Sequence, residues 1–206
     1  MMVIPYILLV VSIVIWIFIP FRQFRGNYFV FFLILATLDP LTVFIRALIS
    51  IHPLRIYSIC SIFLIFSLFD RKSFKKRIPL IFTIILINTL IALFSSFQFL
   101  QIDLFLLNII IEFFILERTV LFIQEKKYIN LFHLVLNLYM LTLIIKYFVI
   151  MIDVKTGINY FYVTSSFEIL IGVYFLLANE KNSTIYILER DGKMGNNIVN
   201  KTNYIK

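Results

Sequence analysis

The sequence is poor in the residues from which most enzyme and metal sites are built. It holds one cysteine and two histidines in 206 residues. Cys60 alone permits no intrachain disulfide. It sits in Ile59-Cys60-Ser61-Ile62, inside an apolar run, with no activating base on its own helix face. A cysteine peptidase or sorting transferase built from Cys60 with His52 or His133 is therefore disfavoured, because a buried thiol there is more often inert. Two histidines cannot supply the His-rich zinc site of intramembrane hydrolases. No run of acids has the spacing for a divalent ion, and no Gly-rich phosphate loop is present. Neither a metal nor a cofactor is expected. The last apolar run contains no lysine, so a retinal Schiff base has no attachment point.

Charge is scarce too. Charged residues make up 15% of the chain and hydrophobic residues 62%, against about 25% and roughly 45–50% in soluble domains. The mean hydropathy is +1.00. What fills the chain is a series of apolar runs: Val3 to Pro20, Tyr28 to Ser50, Leu54 to Phe69, Ile78 to Leu100, Ile102 to Ile123, Tyr128 to Ile152 and Asn159 to Ala178. A helix of ~20 residues crosses a ~30 Å hydrocarbon core. The runs lack the alternation of barrel strands, and a helix satisfies its backbone internally in lipid. The fold expected is all-α, a polytopic bundle of about seven transmembrane helices over residues 1–178, with a polar, flexible cytoplasmic tail over 179–206. The first run lacks a basic leader and a small-residue cleavage site, so it reads as a retained helix. The third run has only 16 residues before Asp70, which suits a short span or a re-entrant segment.

The net charge of +8 does not indicate nucleic-acid binding, because the bases cluster at run ends. There they set topology and meet lipid headgroups. With the N-terminus outside, the cytoplasmic side receives Arg22, Arg25, the cluster Arg71, Lys72, Lys75, Lys76 and Arg77, then Lys126, Lys127 and the five bases of the tail. The outer side receives only Arg55 and Lys155. That asymmetry predicts an outside N-terminus, a cytoplasmic C-terminus and a multi-pass protein of a bacterial cytoplasmic membrane.

Ionisable residues inside spans are costly and are functional candidates by default. Asp39, Glu112 and Glu168 fall near the midplane, with Arg46 and Lys146 one to two turns nearer the outside. These five are candidates for a ligand or ion cavity open to the outside. Asp39 and Arg46, seven residues apart, share a helix face. Asn108, Glu112 and Thr119 form a stripe on the fifth helix, Asn130, His133 and Asn137 another on the sixth, and Thr164, Glu168 and Gly172 a third on the seventh. The alternative is structural, with acids and bases pairing across helices. His133 reads best as a hydrogen-bonded core histidine.

The segment Leu107-Asn108-Ile109-Ile110-Ile111-Glu112-Phe113 and the general layout resemble small seven-helix bacterial membrane proteins of unknown function, some associated with sensor-kinase systems. The resemblance implies a non-enzymatic sensor or accessory subunit. Such a protein would signal to a membrane or cytoplasmic partner through Arg71–Arg77 and the tail. Two other classes stay open: a small transporter or ion pathway using Asp39, Glu112 and Glu168, and a lipid-modifying enzyme, for which no catalytic set is visible. Pro40 and Gly172 are the only mid-span helix breakers, which argues mildly against a rocking transporter.

Overall fold

A computed structural model describes residues 3–49, 51–69, 71–152, 157–183 and 185–187. Among them are seven helices and one two-stranded sheet. The helices are α1 (Val3–Arg22), α2 (Phe29–Ile49), α3 (Pro53–Ser67), α4 (Arg71–Phe94), α5 (Phe97–Lys126), α6 (Leu131–Met151) and α7 (Gly157–Leu177). The strands are β1 (Tyr128–Asn130) and β2 (Ile185–Ile187). Three helices, α2, α5 and α6, are long and apolar enough to cross a membrane, and the others carry shorter apolar stretches among the described residues.

Local chemistry explains several helix limits. His52 accepts from the Leu54 backbone N–H at 3.3 Å, and Pro53 takes the first helical position of α3, where its missing donor costs nothing. Asn130 caps α6 by accepting from the Phe132 N–H at 2.9 Å. α5 ends at Lys127, whose left-handed φ of 58° lets its N–H reach the Ile123 carbonyl at 2.8 Å. α1 runs through Pro20, α2 through Pro40 and α4 through Pro79.

Two boundaries differ from the sequence expectation. The division between the fourth and fifth runs, expected at Gln101, lies at Ser95-Ser96. Gln101, the expected break, and Asp103 both sit within α5. Asp103 is satisfied there by Ser58 and Asn88, so its polarity marks a helix contact and not a helix end. The basic cluster Arg71–Arg77, expected as a loop, forms the first turns of α4, and its side chains lie outside the described residues.

The tail also departs from its expected form at its start. Ile185–Ile187, expected to be flexible, pairs antiparallel with the α5–α6 connection, Tyr128 opposite Ile187 and Asn130 opposite Ile185. Residues 188–206 lie outside the described residues.

α1 and α7 end together, and α3 and α5 start together. α1 lies along α7 and α2, and α5 along α6 and α3, with α4 peripheral against α3 and α5. The core is aromatic. Phe32, Phe132 and Phe175 are fully buried and their ring centroids lie 4.8 to 6.1 Å apart. Trp16 extends this stack, 6.5 Å from Phe32 and 4.8 Å from Tyr139. The α1–α7 contact is closest at Gly172, where an added Cβ would meet Ile15 Cγ2 at 2.9 Å. By contrast the outer surface is apolar, with Phe21, Phe44, Phe82, Phe94, Phe113 and Leu177 all more than half exposed.

Candidate functional site

Three of the five charged candidates converge. α2 carries Asp39, α6 carries Lys146 and α7 carries Glu168, and all three line one cavity of about 190 Å³. α3 adds Tyr57, whose hydroxyl donates to Asp39 Oδ1 at 2.7 Å. Lys146 Nζ donates to Glu168 Oε1 at 2.8 Å, with both side chains partly buried. Among the described residues, Asp39 Oδ2 and Glu168 Oε2 carry no hydrogen bond. The rest of the wall is mostly rings and aliphatic groups, including Trp16, Tyr139 and Tyr147, with the polar side chains of Ser12, Ser61 and Asn108 among them.

The remaining two candidates are elsewhere. Arg46 shares a helix face with Asp39, but it lies in the last turn of α2, exposed, beside a separate depression with Ile51, His52 and Pro53. Two helical turns carry its side chain past the cavity to the end of the bundle. Glu112 follows Asn108 by one turn on α5, yet only Asn108 lines the cavity. Glu112 is half-buried, and its Oε2 has no hydrogen-bond partner among the described residues. Asn108 itself donates back to the Leu104 carbonyl at 2.8 Å. Sequence reasoning therefore over-extended the cluster along two helix faces and missed Tyr57. An aromatic hydroxyl near a run end reads as an interfacial ring, and nothing in its spacing reveals that it turns inward toward Asp39.

Below the cavity the bundle is filled by rings, and a separate pocket of about 160 Å³ lies at its end among Gln23, Asn27 and Glu180. Along α6, Phe132 lies fourteen residues before Lys146, or ~21 Å at 1.5 Å per residue. The Phe32–Phe132–Phe175 stack sits at that level, and beneath it is a polar layer. Gln23 Nε2 donates to the Phe175 and Ala178 carbonyls at 2.9 and 2.8 Å, occupying the free C-terminal carbonyls of α7. Asn27 Nδ2 lies 3.1 Å from both Glu180 carboxylate oxygens. Asn130 donates to the Glu180 carbonyl at 2.8 Å and accepts from Ser183. His133 is buried, with Nδ1 3.3 Å from the Tyr28 hydroxyl and Nε2 3.6 Å from Glu180 Oε1, the latter an electrostatic contact beyond hydrogen-bond length. Burial pushes the Glu180 carboxyl up, but the His133 ring and the Asn27 amide together hold it below the usual carboxylate range.

A second buried polar knot ties α3, α4 and α5. Ser58 Oγ lies 2.7 Å from Asp103 Oδ2 and 3.0 Å from Asn88 Oδ1, and Asn88 Nδ2 donates to Asp103 Oδ2 at 3.2 Å. These groups satisfy one another and fasten the peripheral helix α4.

In comparison with known proteins, no family model, no curated protein and no solved structure matches the chain.

Proposed function

We infer that the protein is a multi-pass component of a bacterial cytoplasmic membrane acting as a non-enzymatic sensor or accessory subunit. In this reading the seven helices all cross the bilayer, the N-terminus is outside, and the cavity at Asp39, Tyr57, Lys146 and Glu168 opens toward the outside. The lipid-facing phenylalanines and leucines fit that setting, since contiguous exposed apolar surface of this extent marks a membrane or partner contact.

The observation that carries the sensor reading over transport is the closed half of the bundle. A polar cavity lies at one level. The fully buried Phe32–Phe132–Phe175 stack fills the next, and it separates the cavity from the Gln23–Asn27–His133–Glu180 layer beyond it. A transporter commonly uses discontinuous helices at its site, whereas α2 passes Pro40 unbroken beside Asp39. Binding in such a cavity changes helix packing without opening a path. The outlets for that change are the β1–β2 ribbon and the basic first turns of α4, both on the side assigned to the cytoplasm. Anionic lipid and a cytoplasmic or membrane protein are the contacts that this basic face suits.

The test is purification in mild detergent with mass spectrometry of co-purifying proteins, alongside flux measurements in liposomes. The sensor or subunit reading expects a stoichiometric partner, lost when Arg71, Lys72, Lys75, Lys76 and Arg77 are changed to glutamine, and no flux. A protein that purifies alone and conducts an ion, with conduction abolished by Asp39→Asn, would replace it with the transport reading.

A further inference from the structure

The cavity's charge does not balance. Two carboxylates, Asp39 and Glu168, face one ammonium, Lys146. Lys146 is engaged by Glu168 at 2.8 Å and Asp39 by the neutral Tyr57 hydroxyl at 2.7 Å. One negative charge is thus left over in a partly buried, ring-lined space, a costly arrangement inside a span. Asp39 Oδ2 and Glu168 Oε2 remain as acceptors, with no hydrogen bond among the described residues. The rings of Trp16, Tyr139 and Tyr147 line the same space, and aromatic rings attract cations. Leu35, Leu38 and Leu143 supply an apolar wall.

We propose that this cavity binds a small primary organic ammonium: one –NH₃⁺ group held by Asp39 and Glu168, and an apolar body of roughly ring size packed against Trp16 and the leucines. A primary ammonium has three donors for the two open carboxylate oxygens and one further acceptor, and its charge neutralises the excess. An inorganic cation would leave the apolar wall unused, and an anion would meet two carboxylates. Lys146 does not compete for the role, because it is already committed to Glu168. The inference rests on the reading of the cavity as a ligand site.

Trp16 is the only tryptophan in the chain and lines the cavity, so its fluorescence reports occupancy directly. Purified full-length protein in nanodiscs is titrated with phenethylammonium, with the neutral isostere 2-phenylethanol and with phenylacetate, excited at wavelengths that the probes do not absorb, with calorimetry in parallel. The expected result is a saturable response to phenethylammonium, a Kd at least about tenfold weaker for 2-phenylethanol, and no response to phenylacetate; a tenfold change is about 1.4 kcal/mol. Asp39→Asn is expected to weaken phenethylammonium binding by a similar factor. If that variant does not fold, the discrimination among the three probes by the unaltered protein still decides. Equal or tighter binding of phenylacetate or 2-phenylethanol overturns the ammonium assignment and leaves the ligand-cavity reading standing. Absence of a saturable signal with all three probes overturns both.

Discussion

Lys146 Nζ lies 2.8 Å from Glu168 Oε1, joining α6 to α7 at the wall of the cavity. Both groups are partly screened by their remaining exposure, 33% and 18% of the side chain. A full buried-pair energy therefore does not apply. Removing one partner leaves the other charge uncompensated in a span, at a cost of several kcal/mol for a fully buried pair. With the exposure discounted, Lys146→Met or Glu168→Gln is expected to destabilise by about 1–2 kcal/mol. The double variant Lys146→Met with Glu168→Gln is expected to cost less than the sum of the two single changes. Thermal unfolding in detergent across the four-member cycle measures the coupling. Strict additivity of the single changes would show that the two charges do not stabilise one another.

Gly172 is set by space and not by backbone conformation. An added Cβ would meet Ile15 Cγ2 at 2.9 Å and Trp16 Nε1 at 3.3 Å. Ile15 is β-branched and stiff, and Trp16 is buried in the aromatic stack, so neither yields cheaply. Gly172→Ala is expected to cost about 1–3 kcal/mol, the range for overpacking a filled core, and Gly172→Val more. A lower unfolding temperature for Ala and a further drop for Val check this. A stabilised alanine variant would mean that α1 and α7 separate freely.

How much of this was visible in the sequence divides along physical lines. Helix content and the approximate location of every helix followed from apolar runs, because hydrophobicity and backbone hydrogen bonding act locally. The Asp39, Lys146 and Glu168 association was half legible, since the cost of a buried charge flags each residue. Periodicity, however, fixes only the face, and Arg46 and Glu112 share faces with cavity residues without sharing their depth or direction. Gln101 misled because a polar residue inside a helix looks like a break until its neighbours are known. The pairing of Tyr128–Asn130 with Ile185–Ile187 joins segments far apart in sequence, and no short-range signal encodes it.

Gln23 is a long-range cap for α7. Its amide donates to the Phe175 and Ala178 carbonyls from the end of α1. Gln23→Leu keeps the volume and removes both donors, leaving carbonyls at a buried helix end unsatisfied. A loss of about 1–3 kcal/mol is expected, together with faster protease cleavage after Leu177. Unchanged cleavage with a lowered unfolding temperature would place the effect in packing and not in the cap.

The layer around Glu180 predicts a direction for acid sensitivity. Its carboxyl titrates below its ordinary value because the His133 ring and Asn27 outweigh the effect of burial. A depressed folded-state pKa contributes stability that is fully present above the unfolded value, ordinarily 4.5, and lost as pH falls through the folded value. Unfolding temperature is therefore expected to decline on the acid side of that value. In Glu180→Gln the contribution should be absent, giving a lower plateau and a shallower acid slope. An identical slope in the variant would assign the acid limb to other carboxylates.

Membrane sidedness can be tested through contacts that group the helix ends. The His52 and Phe97 rings lie 5.0 Å apart, so the starts of α3 and α5 share one end of the bundle. Asn130 and Glu180 meet at the other, where α6 begins and α7 has ended. α3 has fifteen residues, or ~22 Å, short of a ~30 Å hydrocarbon core, so its crossing is the demanding part of the assignment. In a Cys60→Ser background, His52→Cys and Phe97→Cys are expected to react with an impermeant maleimide on intact cells. Lys181→Cys is expected to react only after permeabilisation. Labelling of Phe97→Cys from the inside while His52→Cys labels from the outside would make α3 a re-entrant segment. Labelling of all three from one side would remove the seven-span reading, and with it the assignment of the Asp39 cavity to the outer half of the membrane.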